Sequence, residues 1–434
     1  MKTTPADRLQ PLPVTHTDSD TARSKMRKVV IASSLGNGLE IYDFTVYSFF
    51  AAIIGKLFFP SDSALASLLM SLATFAVGFL MRPLGAVLIG RVADRRGRKA
   101  ALSLTIGLMT LGTALIAFTP TYASIGISAT VLLVFGRLLQ GLSAGGEVGT
   151  ASAFLMESGQ RGNRCFMVSW QGASQGAAAL VGALTGLALS SSLSTESLEA
   201  WGWRVPFIIG LLIGPVGLYI RRNLDETHEH TEAATPLADF LRSHGRTLLL
   251  GILLMASTTV CMYMVVFYMP TYLVQTLHYP GSTAFALVGL ASALLAVIPP
   301  LASRFADRLP RRKPFLYWTV GLPLVLVYPS FLLLGGQNSL LCMLAIAMLI
   351  LPMAVGVGAF LALLMEAFPQ AERATGVSII YSFGVTLFGG FSPLLVTWLI
   401  GVTGNPLTPA LYLMAAVVLS LAALRSYPEH PGRA

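Results

Sequence analysis

Gly90-Arg91-Val92-Ala93-Asp94-Arg95-Arg96-Gly97-Arg98-Lys99 is the most specific string in the chain. Gly90 allows close packing at a helix end, Asp94 can accept from a neighbouring helix N-terminus or from an arginine, and Gly97 permits a tight turn. A loop that only retains its side of a membrane protein in the cytoplasm needs the basic residues, but neither the glycines nor the aspartate. The element returns 213 residues on as Asp307-Arg308-x-x-Arg311-Arg312, with Ser303 and Pro310 where the glycines stand, so the second copy is expected to be the less faithful one. Two more landmarks recur near that offset. Leu155-Met156-Glu157, with Arg164 seven residues past the glutamate, reappears 209 residues later as Leu364-Met365-Glu366 with Arg373. Pro60 in Phe-Phe-Pro matches Pro270 in Tyr-Met-Pro at an offset of 210, each read as closing an apolar run. Three echoes in register predict a duplicated unit, and two packed six-helix halves around a central site are a transporter architecture.

Composition points the same way. Of 434 residues, 54% are hydrophobic and 11% charged, and the mean hydropathy is +0.71; a soluble domain carries about 25% charged residues. Apolar runs fall at roughly 29 to 54, 64 to 90, 100 to 118, 126 to 156, 166 to 190, 205 to 220, 247 to 269, 282 to 303, 315 to 334, 339 to 365, 374 to 400 and 409 to 424. Each is about the length a bilayer crossing requires. The expected fold is an all-α integral membrane protein of twelve helices in two pseudo-symmetric six-helix bundles around a central cavity. The expected segments are a tail over 1–28, bundles over 29–220 and 247–424, a linker over 221–246 and a tail over 425–434. All but four of the 29 lysines and arginines lie in the tails or in alternate loops; Lys56 and Arg204 face the other way, and Arg82 and Arg137 lie inside spans. That asymmetry places both termini in the cytoplasm. The first 28 residues, polar and basic, read as a cytoplasmic tail rather than a signal peptide. Because the basic residues sit in short loops, the net charge of +9 predicts no nucleic-acid partner. Cys165, Cys261 and Cys342 show no metal-ligand spacing, so neither a metal nor a disulfide framework is expected.

Five charges lie inside the runs: Glu40, Asp43, Arg82, Arg137 and Glu147, all in the first half. Intramembrane charges are costly and usually face a cavity or one another. Counting about 1.5 Å per residue puts Glu40, Arg82 and Glu147 at one depth and Asp43 with Arg137 one to two turns beyond, which predicts pairs. Three carboxylates against two arginines leave one negative charge over, and a buried unpaired carboxylate relieves its desolvation by taking a proton. Static helix–helix ion pairs are the competing reading for each residue. Gly141, Gly145 and Gly149 lie four apart and read as a close helix contact, leaving Arg137 and Gln140 as the site candidates of that run. Gln171, Ser174 and Gln175 share one helical face and can bind a carboxylate or join helices. Tyr263 precedes Pro270, where an interrupted helix can present a phenol to a pore.

Gly36-Asn37-Gly38-Leu39-Glu40-Ile41-Tyr42-Asp43-Phe44, Gly78-Phe79-Leu80-Met81-Arg82-Pro83-Leu84-Gly85 and Gly136-Arg137-Leu138-Leu139-Gln140-Gly141-Leu142-Ser143-Ala144-Gly145-Gly146-Glu147 resemble the first, second and fourth helix signatures of the metabolite:proton symporter branch of the major facilitator superfamily. The Gly90 string resembles that superfamily's loop signature. Ser169-Trp170-Gln171, Ser174-Gln175, Tyr268-Met269-Pro270-Thr271-Tyr272 and Phe388-Gly389-Gly390-Phe391-Ser392-Pro393 look most like the citrate and tricarballylate members. The resemblance implies a transporter rather than an enzyme. It would import a small anionic carboxylate with protons as the coupling ion, need no other cofactor, and work as a monomer in the bilayer of a bacterial inner membrane. Asn37, Tyr42, Arg82, Arg137, Gln140, Gln171, Ser174, Gln175 and Tyr263 would hold the substrate; Glu40, Asp43 and Glu147 the proton. Gly90, Asp94, Arg95, Gly97, Arg98, Asp307, Arg308, Glu157, Arg164, Glu366 and Arg373 would form the cytoplasmic gate. A carrier of proline or betaine is the runner-up and needs an aromatic cage for its cation; the long C-terminal coiled coil of the osmosensing members is not expected here. A receptor of the same fold that moves nothing is the third reading.

Overall fold

The computed structural model describes residues 37–38, 40–96, 98–145, 152, 155–156, 162–211, 214 and 237–429. Among them nine helices are long and apolar enough to cross a membrane, and a bent pair makes a tenth. Two shorter apolar helices complete the expected twelve. We number them α1 (Glu40–Phe49 with Ala51–Phe58, bent by 67°), α2 (Ala64–Arg96), α3 (Arg98–Phe118), α4 (Ile127–Ala144), α5 (Arg164–Ser192) and α6 (Gly202–Leu211). The second half holds α7 (Leu237–Met262, carried on to Gln275), α8 (Gly281–Ala306), α9 (Lys313–Gly335), α10 (Ser339–Glu366), α11 (Gln370–Val385, carried on to Thr403) and α12 (Thr408–Ser426). Large apolar side chains such as Leu340, Trp318, Val325 and Val402 stand exposed around the outside, as lipid-facing surface does. Glu147, Glu157, Gly97 and residues 1–36 lie outside the described residues, as do the side chains of Asp94, Arg95 and Arg98; for Gly90 only the helical backbone is described.

Two boundaries differ from expectation. Helix α7 begins at Leu237, so ten residues assigned to the linker, His244 among them, form its first turns. Nor does Pro270 close a span. A π turn over Tyr263–Tyr268 widens the helix just before it, and α7 runs on through the proline over Met269–Gln275 as part of one span. A second π turn, Thr386–Gly390, precedes Pro393 in α11. Extra residues inserted at such turns displace side chains from the helical register, which is why they recur at functional sites.

Close backbone approach sets the positions of the intramembrane charges. A Cβ on Gly141 would strike the Gly78 carbonyl, one on Gly145 the Arg82 carbonyl, and one on Gly85 the Leu142 carbonyl. Helices α2 and α4 are thus packed backbone to backbone, which sets Arg137 beside Gly78 and Arg82 beside Gly145. The halves meet along α5 and α8, where Gly176 lies on the Leu295–Ala296 backbone. They meet also where Ser48 Oγ of α1 donates to the Phe267 carbonyl of α7 at 3.0 Å, and where Thr386 Oγ1 of α11 donates to the Phe79 carbonyl of α2 at 3.1 Å.

Candidate functional site

Two polar clusters occupy the middle of the bundle. The first lies between the halves. Arg82 Nη2 donates to Glu40 Oε1 at 2.6 Å, both side chains are almost fully buried, and the guanidinium lies over the rings of Phe79 (4.7 Å) and Phe44 (5.1 Å). This is one of the pairs that depth counting predicts. Beside it Asn37 Nδ2 donates to Ser174 Oγ at 2.8 Å and to the Gln171 carbonyl at 3.0 Å. Gln175 Nε2 donates to Tyr381 Oη at 3.1 Å and reaches Asn37 Oδ1 at 3.4 Å. Tyr263, at the head of the π turn, stacks on Phe267 with centroids 4.6 Å apart and meets Phe79 edge-on. Of the candidates, Asn37, Glu40, Arg82, Ser174, Gln175 and Tyr263 therefore gather here. Two do not. The Gln171 side chain turns away to Ser152, whose Oγ donates to its Oε1. Tyr42 points away from the interface and gives its hydroxyl to the Pro206 carbonyl at 2.9 Å. Tyr381 joins the cluster from α11 and was not among the candidates; a lone tyrosine in an apolar run offers little sequence signal.

The second cluster is inside the first half. Asp43 and Arg137 are both fully enclosed, but they form no direct ion pair, which corrects the expected pairing. Arg137 Nη1 donates to Gln140 Oε1 at 2.6 Å, Gln140 Nε2 donates to Thr113 Oγ1 at 2.9 Å, and Thr113 Oγ1 donates to Asp43 Oδ2 at 2.7 Å. Helix α3 stands between the two charges, so its threonine bridges them. The chain has two open ends: Asp43 Oδ1 at one, and Arg137 Nε and Nη2 at the other, have no hydrogen-bond partner among the described residues. Nε and Nη2 form the side-on edge by which a guanidinium takes a carboxylate bidentately. It faces Gly78, where a Cβ would come within 3.6 Å of Nη2 and 3.7 Å of Nε. The flat faces of Arg137 are covered by Tyr47 (4.4 Å), Phe44 (4.7 Å) and Phe75 (5.1 Å). Among the described residues no group of histidine, cysteine, aspartate or glutamate could hold a metal.

At the end that carries the basic loops, the second motif copy binds across the halves. Asp307 accepts from the backbone N–H of Cys165 (2.7 Å) and of Phe166 (2.9 Å) with separate oxygens, capping α5 where the helix dipole favours an anion. Arg312 Nη2 donates to Glu366 Oε1 at 2.7 Å, Arg312 Nη1 donates to Cys165 Sγ, and Arg164 lies 3.7 Å from the same glutamate. Arg373 Nε donates to the Met365 carbonyl at 3.1 Å. The copy expected to be less faithful is thus engaged. Gly358 of α10 lies against Ser303 and the Cys165 carbonyl, where a Cβ would clash. Arg308 is not part of it, since only its backbone N–H is engaged, to Phe305; Arg312 acts in its place. Asp307→Asn keeps the volume but offers an N–H₂ to one backbone donor. It is expected to lower transport about ten-fold while substrate binding survives, and to make buried Cys165 reactive toward a thiol reagent. Equal loss of binding would mean that Asp307 serves folding instead.

The major facilitator superfamily model matches residues 33–385. The citrate-proton symporter of Klebsiella pneumoniae is 36% identical over 401 residues, covering 91% of this chain and 90% of that protein. The proline/betaine transporter of Escherichia coli (strain K12) is 33% identical over 413 residues, covering 92% and 82%. The crystal structure of a D-xylose-proton symporter superposes with a TM-score of 0.76 at 18% identity, over 93% of this chain and 98% of that one, a likeness of fold. These relatives are carriers and not enzymes. By sequence and by fold, this chain is a multi-pass membrane transporter that belongs to the major facilitator superfamily.

Proposed function

We propose that the protein is a proton-coupled symporter that imports a small organic acid by alternating access, with citrate or another di- or tricarboxylate as the first choice. It would sit in a bacterial inner membrane with both termini in the cytoplasm, working as a monomer. The observation that carries this reading is the contrast between the two buried arginines. Glu40 neutralises Arg82 directly, whereas among the described residues Arg137 has no carboxylate in ion-pair contact and keeps two N–H donors without partners. A buried guanidinium with its bidentate edge open is a site for an anion. Asp43, whose Oδ1 has no partner, is the residue suited to carry the proton, because a proton removes the cost of an anionic oxygen without a donor. The citrate-proton symporters among the relatives support the same substrate class.

A zwitterion such as betaine is the second reading, supported by the proline/betaine transporters. The aromatic set it would require is present in Phe44, Tyr47, Phe75 and Phe79, but their faces already hold Arg82 and Arg137. A quaternary ammonium would have to displace one of them. Uptake into proteoliposomes of citrate, tricarballylate, a dicarboxylate, proline and betaine separates the readings. Citrate or tricarballylate is expected to be accumulated and to compete with each other. Uptake of betaine that citrate leaves untouched would overturn the choice.

A further inference from the structure

We infer that Thr113 is the positioning residue that lets the buried Asp43 carboxyl exist both with and without a proton, by turning one hydroxyl hydrogen between two acceptors. The inference rests on the reading of Asp43 as the proton carrier. Thr113 Oγ1 lies 2.7 Å from Asp43 Oδ2 and 2.9 Å from the Met109 carbonyl oxygen one turn back on its own helix. A hydroxyl has one hydrogen to donate and two lone pairs to accept with, so it serves one of these acceptors at a time. When Asp43 is ionised, the hydrogen points to the carboxylate. When Asp43 is protonated, the carboxyl donates to Thr113, and the hydrogen turns to Met109, the usual back-bond of a helical threonine.

Gln140 Nε2 takes the remaining lone pair in both states, from 2.9 Å. Its amide is held in that sense because Arg137 donates to its oxygen. Every polar atom of Thr113 is thus used in either state, and no covalent bond of Thr113 breaks. The proton on Asp43 comes from the aqueous phase and returns to it. Among the described residues, the groups that face Asp43 leave it no other switchable partner. Arg137 of α4 reaches it only through Gln140 and Thr113. Tyr42 on its own helix gives its hydroxyl to Pro206. From α6 the Gly210 backbone faces Oδ1, so close that a Cβ there would lie 2.7 Å away.

Thr113→Val, Thr113→Ser and Asp43→Asn in proteoliposomes, with citrate as the probe, test this. Valine keeps the branched shape but leaves an ionised Asp43 with no donor, which favours its neutral form. The alkaline limb of proton-driven citrate uptake is expected to move up by about one pH unit. Net uptake, which requires the proton to leave inside, should fall about ten-fold, while citrate–citrate exchange, which does not, persists. Serine should restore the wild-type profile, and Asp43→Asn with Thr113→Val should behave as Asp43→Asn alone. A fixed pH profile in Thr113→Val, with exchange and uptake unchanged or falling together, overturns the inference and leaves Asp43 as the carrier. If the wild type does not move citrate with protons, or Asp43→Asn still does, the proposed function fails first and the inference with it.

Discussion

Glu40→Gln is expected to destabilise the protein by about 3 to 5 kcal/mol, and adding Arg82→Gln to recover most of that loss. Removing one member of a buried pair leaves the other charge uncompensated, whereas removing both can be nearly neutral. The geometry makes this the site where the effect is largest. The Arg82–Glu40 contact is 2.6 Å with 2% and 4% of the two side chains exposed, Arg82 Nε has no hydrogen-bond partner among the described residues, and two aromatic rings cover the guanidinium. Thermal melting of the purified single and double variants checks it. Recovery of stability in the double variant together with full citrate uptake would make the pair scaffolding. Recovery of stability without uptake is the expected result, because Arg82 borders the interface between the halves.

Arg137→Lys is expected to behave in the opposite way, with affinity for citrate falling about 10- to 100-fold and melting temperature changing little. Lysine retains a charge between the rings of Phe44, Tyr47 and Phe75 but loses the planar fork. The bonds lost are hydrogen bonds between charged groups, among the stronger ones. Titration of citrate-protected melting measures the affinity. A different outcome separates a structural arginine from a binding one. If Arg137 only neutralised Asp43, Lys would preserve binding, and Arg137→Gln with Asp43→Asn would restore what either single change destroys. Since the two are joined through Gln140 and Thr113 and not to each other, no such rescue is expected.

The twelve crossings and the Glu40–Arg82 pair were legible because hydropathy and depth each vary along the chain itself. Counting residues gives height in the bilayer but neither azimuth nor side-chain direction. Tyr42 and Asp43 are neighbours in sequence, yet Tyr42 is turned to Pro206 of α6 and Asp43 to Thr113 of α3. Asp43 and Arg137 share a depth, but a third helix comes between them. Arg308 and Arg312 sit one turn apart in a basic loop, where composition does not distinguish them; only the fold selects Arg312 to meet Glu366. The π turns before Pro270 and Pro393 were hidden for a related reason. A proline predicts that a helix bond is missing, not that the helix widens and continues.

The central claim is that one buried anion site and one buried proton site share a carrier, and substrate-driven proton movement tests it most directly. Proteoliposomes with a pH dye in the lumen, given external citrate with no imposed gradient, should acidify inside with the wild-type protein. Asp43→Asn should abolish the acidification, and Arg137→Lys should require far more citrate for it. Citrate accumulation with no lumenal pH change, or acidification of equal size in Asp43→Asn, would contradict the account.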